Sequence, residues 1–285
     1  MNAPLPLPRP LSVWPTAQQT ARAQRADRYL PSTVAHPGKM LPAIARTAIT
    51  AYTQPGDLVV DPMCGIGTTL VEALHLGRDA IGVEYEPTWA ALATANITHA
   101  RGQGATGHAE VLTGDARHLT GLLDPAVHGL VALVLTSPPY GPSVHGQVTA
   151  RPGAGVTKSD YRYSTDPANL AHVGLDKLLT AMHDVLAAAV RVLRPGGVVA
   201  MTVRPYWHAG QLIDLPGALA RTGEQAGLVL FERNVALLAG LRDDHLVPRT
   251  SFFALDQVRR ARTRGIHRSV VAHEDLLVFR RPDGR

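Results

Sequence analysis

The chain has 285 residues, 45% of them apolar, enough for one large α/β domain or two small ones. No run of about eighteen uninterrupted apolar residues occurs, so no membrane span is expected, and a single cysteine, Cys64, excludes an internal disulfide and a cysteine-based zinc site. A net charge of +5 favours a polyanionic partner, with a weight that depends on where the charges sit.

Residues 1–35 read as an amino-terminal arm, Pro-rich at first and then basic around Arg22, Arg25 and Arg28. They lack an apolar leader core, so a cytoplasmic protein is expected. The thirteen histidines include no His-Glu-x-x-His spacing, and no metal site is expected. From residue 36 to 285, strand and helix patterns alternate. Apolar periodicity predicts, in chain order, a helix over 41–52, a strand over 58–61, a helix over 68–76, a strand over 80–84 and a helix over 88–97. Strands over 109–113 and 130–136 follow, then a long amphipathic helix over 175–193 that Arg194-Pro195-Gly196-Gly197 ends. A strand over 198–203, a helix over 212–225 and strands over 228–235 and 275–279 complete the pattern. This alternation predicts a doubly wound α/β fold with a mostly parallel, seven-stranded sheet covered on both faces. Two stretches interrupt it and read as insertions, 141–171 and 240–272.

Chemistry concentrates at the strand ends. The string Asp61-Pro62-Met63-Cys64-Gly65-Ile66-Gly67-Thr68-Thr69 closes one strand and opens a helix. Its glycines allow a tight turn and close backbone approach to a ligand, and the free amides at the helix start favour a carboxylate. A nucleotide-binding P-loop would need Gly-Lys-Ser/Thr, which is missing. Glu84 ends the next strand 23 residues after Asp61, an offset at which an acid can accept both ribose hydroxyls. Asp115 follows the third strand, where it is also suited to cap a helix. The strand over 130–136 runs into Ser137-Pro138-Pro139-Tyr140.

Together these motifs resemble the S-adenosylmethionine-dependent amino-methyltransferases that modify exocyclic amines of DNA bases, the N4-cytosine and N6-adenine family. The resemblance implies a class I methyltransferase, Rossmann-like fold with adenosylmethionine as cofactor. Asp61, Met63, Gly65, Gly67, Thr68, Thr69 and Glu84 would then hold the cofactor, with Asp115 accepting a hydrogen bond from the adenine amine. His36-Pro37-Gly38-Lys39-Met40 resembles the segment that closes the methionine end of the pocket, which adds His36 and Lys39 and gives the motif order of the family's gamma group. Cys64 does not occupy the position used by methyltransferases with a cysteine nucleophile.

The same resemblance assigns catalysis to Ser137, Pro138, Pro139 and Tyr140. An exocyclic base amine is a poor nucleophile because its lone pair is delocalised into the ring. The Ser137 side chain and the Pro138 carbonyl would hold its hydrogens, and Tyr140 would stack on an extruded base. Serine rather than aspartate at the first position leans toward cytosine N4, with adenine N6 and an RNA base amine as alternatives. A non-catalytic nucleic-acid-binding module is the reading of a different class. DNA is the preferred partner, RNA the alternative, and a cognate restriction endonuclease fits the family. Arg151, Lys158, Tyr161, Arg162 and Tyr163 interleave charge and aromatics after the catalytic motif. Arg259, Arg260, Arg262 and Arg264 form a second basic stretch suited to phosphates.

Overall fold

In the computed structural model, residues 11–139, 147–151, 155–159, 164, 166–208, 210–250 and 252–283 are described. The strands in chain order are β1 (Val13–Trp14), β2 (Leu58–Asp61), β3 (Asp79–Glu84), β4 (Ala109–Thr113), β5 (Val131–Thr136), β6 (Gln147–Arg151), β7 (Gly155–Ser159), β8 (Leu193–Val203), β9 (Tyr206–His208), β10 (Gln211–Ile213), β11 (Val229–Leu237), β12 (Ala239–Arg242), β13 (His245–Pro248) and β14 (His273–Arg280). The helices are α1 (Ala21–Arg25), α2 (Pro42–Tyr52), α3 (Thr68–His75), α4 (Pro87–Gly102), α5 (Leu119–Leu122), α6 (Leu175–Val192), α7 (Leu215–Gln225) and α8 (Phe252–Thr263).

The main sheet has the order β1-β11-β14-β8-β5-β2-β3-β4. Strands β4, β3, β2, β5 and β8 run parallel, while β14 is antiparallel to both β8 and β11. Strands buried on both faces read as continuous apolar runs, and all six residues of β5 are buried. Helices α2, α3 and α4 cover one face through Ile44, Leu70 and Ile97, and α6 and α7 cover the other through Met182 and Leu219. The chain leaves β2 for β3 on one side, and β5 lies on the other. The crevice between the carboxyl ends of β2 and β5 is therefore the switch point where doubly wound sheets bind ligands.

Three expectations need correction. Residues 11–35 are not a separate arm. Strand β1 adds an eighth strand by pairing Val13 and Trp14 with Val235 and Ala236 of β11. Trp14 and Tyr29 are buried, Gln24 accepts the Ala43 amide, and Arg28 makes a bidentate pair with the fully buried Glu72. The exposed backbone of β11 and a buried carboxylate both need partners, and this segment supplies them. Second, Arg194–Gly197 lies inside β8 rather than between elements, as a bulge: Val131 pairs with Leu193, but Leu133 pairs with Val198. Third, the helix expected from residue 212 begins at Leu215, because Gln211–Ile213 pairs with Tyr206–His208 and Asp214 caps the helix by accepting the Gly217 amide. The insertions contain two hairpins, β6–β7 and β12–β13, and helix α8. No helix among the described residues is long and apolar enough to cross a membrane.

Candidate active site

The glycine turn is built by its neighbours. Gly65 and Gly67 take φ of 54° and 80°, a left-handed conformation that favours glycine. A Cβ at Gly67 would come within 3.1 Å of the Ala93 Cβ, so this glycine lets α4 pack against the turn. Asn96, fully buried on α4, donates to the Ile66 carbonyl at 2.9 Å and accepts the Leu30 amide at 3.0 Å. Asp61 accepts from the Met63 amide at 3.1 Å and from the Thr69 hydroxyl at 2.6 Å. Its burial raises the carboxyl to about 6. Glu84 accepts the Gly65 amide at 2.7 Å on one oxygen and the Glu86 amide at 3.0 Å on the other. Burial pushes that carboxyl up to about 7 against these two donors.

Two cavities open along the carboxyl edge of β2, β3 and β5. The larger, about 530 Å³ and open to solvent, is lined by Glu84, Tyr85, Gly114, Asp115, Arg117 and Asn169. The smaller, about 340 Å³, is lined by His36, Lys39, Asp61, Gly65, Thr68 and Thr69. Met63 and Ser137 line both. Ser137 therefore sits where the two halves of the cleft meet, one residue beyond β5.

His36 is buried and edge-on to Trp89 at 4.7 Å, and burial lowers its ring to about 3. Lys39 donates to the His36 carbonyl, and burial, then the charge of Arg25, lowers its ammonium to about 8. Asp115 caps the turn that follows it and is clamped by the Arg117 guanidinium at 3.0 and 2.9 Å. Burial would raise its carboxyl, but the Arg117 hydrogen bonds outweigh this and hold it below the usual range. Cys64 is buried, which pushes its thiol well above the ordinary value and away from nucleophilic use.

All the sequence-derived cofactor residues except Gly67 line one of the two cavities, and Gly67 lies between lining residues. Of the catalytic motif, Ser137 and Pro139 line the cleft and Pro138 is buried behind them. Tyr140, Tyr161, Arg162 and Tyr163 lie outside the described residues, and Arg151 and Lys158 are placed only as members of β6 and β7. The α8 arginines line neither cavity and are exposed, and Arg260 is paired with Asp256 at 2.8 Å. Sequence reasoning missed the segment that roofs the larger cavity: Asp166 accepts from Tyr85 at 2.6 Å and Asn169 donates to Glu86 at 2.9 Å. The signal available was the pair of turn-capping residues, Asp166 and Asn169, inside a stretch read as an insertion with basic and aromatic residues for nucleic acid.

The donor set fits an adenosyl amino acid. Glu84 keeps a free lone pair on each oxygen for a ribose diol. The α3 start carries no side-chain cap, so its first-turn amides suit a carboxylate, and Asp61 beside them suits an ammonium. The fold is that of the class I S-adenosylmethionine-dependent methyltransferases, and the site carries a donor set that suits this cofactor. Residues 8–95 match a family model described as DNA methylase, of the N6/N4 type. The match begins inside the expected arm, consistent with the docking of residues 11–35 onto the sheet and α3.

Among curated relatives, the chain is 32% identical over 143 residues to the tRNA (guanine(10)-N2)-dimethyltransferase of Methanothermobacter thermautotrophicus, covering 49% of this chain and 38% of that one. It is 35% identical over 54 residues to the type II methyltransferase M.MjaII of Methanocaldococcus jannaschii, covering 18% and 10%. The chain thus spans less than half the length of the curated relatives it matches. Among solved structures, TrmN from Thermus thermophilus superposes with a TM-score of 0.52 at 18% identity, covering 90% of this chain and 52% of that one, a likeness of fold.

Proposed function

We propose that this methyltransferase modifies an exocyclic amine of a nucleobase in a nucleic acid, with cytosine N4 of DNA as the first substrate. The placement of Ser137 carries the reading. It stands at the junction of the two cavities, at the end of the strand beside β2, and Pro138-Pro139 fix the backbone that follows. Adenosylmethionine, when bound, supplies an electrophilic methyl group. Ser137 Oγ and the Pro138 carbonyl accept hydrogen bonds from the incoming amine and direct its lone pair. Tyr140 stacks on the base. Positioning of the amine by these fixed dipoles would supply most of the catalysis. The basic residues of the two insertions hold the polymer by its phosphates.

A second reading has a specific support. The tRNA (guanine(10)-N2)-dimethyltransferases match over a longer stretch than the type II DNA methyltransferase does. On that reading the acceptor is guanine N2 in RNA, with the same residues in the same roles. Incubation of the purified protein with isotopically labelled adenosylmethionine and separate DNA and tRNA pools, followed by nucleoside mass spectrometry, tests both. Label in N4-methylcytosine is the expected result. Label only in N2-methylguanine establishes the second reading, and label in neither polymer removes both.

A further inference from the structure

The β9–β10 hairpin lies outside the motifs described above, yet the topology places it beside them. In the parallel pair β5–β8, Thr136 is level with Met201, so Ser137–Pro139 leave β5 beside the last residues of β8, Thr202 and Val203, with Arg204 following. The hairpin starts at Tyr206, two residues after Arg204. The arginine-rich insertion returns to the same edge, because Asp275 of β14 is level with Val203. There the Arg268 guanidinium lies over the Trp207 ring, 4.7 Å from its centroid. The Arg268 carbonyl accepts from Arg262 Nε at 3.2 Å, which ties the pair to the end of α8. Arg268 Nε is buried and has no hydrogen-bond partner among the described residues. Around it, Arg259, Arg262 and Arg264 are exposed, and their only carboxylate neighbour on α8, Asp256, is taken by Arg260.

The geometry points to the Trp207–Arg268 pair as a stacking seat for an unpaired nucleobase, next in the strand to the base offered to Ser137. The occupant is a single-stranded segment of nucleic acid, and the seat rests on the nucleic-acid reading above. An indole backed by a guanidinium offers a flat, polarisable, positively charged platform, and such platforms bind bases with little sequence preference because every base has a π-face. The exposed guanidinium of Arg262, tied to Arg268, suits a phosphate that flanks a stacked base. Trp207 and Arg268 are thus positioning residues. They hold the strand, and Ser137 acts on the amine.

Binding of three fluorescent oligonucleotides of equal length tests the seat: a thymidine 12-mer, a uridine 12-mer and an abasic 12-mer, about the length tracked by known single-strand sites. Each is titrated against wild type, Trp207→Ala and Trp207→Phe, with melting temperatures to confirm that the variants fold. Wild type is expected to prefer base-bearing over abasic strands by roughly tenfold. Trp207→Ala should lose most of that preference with little change toward the abasic strand, and Trp207→Phe should restore part of it. In turnover, Trp207→Ala should raise KM for polymer more than it lowers kcat. If wild type prefers base-bearing strands and folded Trp207→Ala keeps the full preference, the seat is wrong while the nucleic-acid reading stands. If wild type binds none of the three at low salt and labels no polymer, the underlying reading fails instead.

Discussion

Gly65 donates its amide to the carboxylate of Glu84 at 2.7 Å, so the turn at the end of β2 and the acid at the end of β3 form one unit. Loss of the acid therefore removes a ligand group and loosens the turn together. Burial raises Glu84 from 4.5 to about 7 and Asp61 from 3.8 to about 6. Both groups bind protons more tightly in the folded than in the unfolded chain, so their contribution to the stability of the cofactor-free protein falls as pH rises from about 4 to about 7, and then levels. Cofactor affinity should move the other way, because the ionised Glu84 is the better acceptor for two hydroxyls. Between pH 6 and 7 the gain should be about fivefold, flattening above about 7. Calorimetry with adenosylmethionine across this range checks it. Glu84→Gln should bind at least roughly tenfold more weakly and lose most of the slope. Wild-type affinity and slope in that variant would remove Glu84 from the ribose role.

Ser137→Ala should bind adenosylmethionine nearly as well as wild type, since Ser137 lies at the junction rather than among the ribose and amino-acid acceptors. Methyl transfer should fall about a hundredfold, the usual loss when one fixed polar group at the reacting centre goes. Single-turnover transfer to the substrate identified by mass spectrometry is the measurement. Full turnover in the variant would show that the amine is held by other groups.

Much of this site was legible because its residues sit at punctuation points. Asp61, Glu84, Asp115 and Ser137 each follow or end an apolar run, and alternation of strand and helix brings such ends to one edge. The docking of residues 11–35 was not legible, since it depends on isolated long-range contacts with no periodicity. Arg28 meets Glu72 across 44 positions, and Glu72 by itself reads as an ordinary acid on a helix. The β9–β10 hairpin was hidden for another reason: its strands are three residues each, too short for alternation to register. The Pro-Gly-Gly of β8 looked like a terminator because a bulge and a turn use the same residues. The glycine motif by itself would make Gly67→Val a test of cofactor space. The contact with Ala93 instead makes it a test of helix packing.

Asn96 links three parts of the chain that sequence alone keeps apart, the Ile66 carbonyl, the Leu30 amide and α4. Asn96→Ala would leave the buried Ile66 carbonyl and the part-buried Leu30 amide unpaired, at a cost of about 2 kcal/mol. Denaturant unfolding should show a lower midpoint with an unchanged slope, and cofactor affinity should drop with the loosened turn. A change below about 0.5 kcal/mol would mean that water replaces the amide there.

Glu72 is fully buried and accepts from Arg28 at 2.8 and 2.9 Å and from the Tyr29 hydroxyl at 2.8 Å. Arg28→Ala would strand this carboxylate with one neutral donor, which should cost about 3 kcal/mol. The double change Arg28→Ala with Glu72→Gln should recover part of that loss, because the buried charge goes with its partner. Thermal unfolding of both variants checks the sign. If the double variant is no more stable than Arg28→Ala, packing rather than charge holds the segment.

The arginines of α8 and Arg264 just after it differ in their surroundings, and this separates them as phosphate ligands. Arg260 is paired with Asp256, whereas Arg259 and Arg264 have no carboxylate partner among the described residues. A phosphate contact releases counterions, so each one lost should flatten the slope of log affinity against log salt by roughly 0.7–0.9. Arg259→Ala and Arg264→Ala should each show this change, on DNA and RNA alike, because phosphate contacts do not read sequence. Arg260→Ala should change the slope far less, since its charge is already offset within the helix. Cofactor affinity should stay at the wild-type value in all three, as none of these residues lines the cleft. Binding across a salt series with each single variant is the test. Equal, unchanged slopes for all three would make α8 a solvated surface helix. A loss in Arg260→Ala equal to the others would mean that the polymer displaces Asp256.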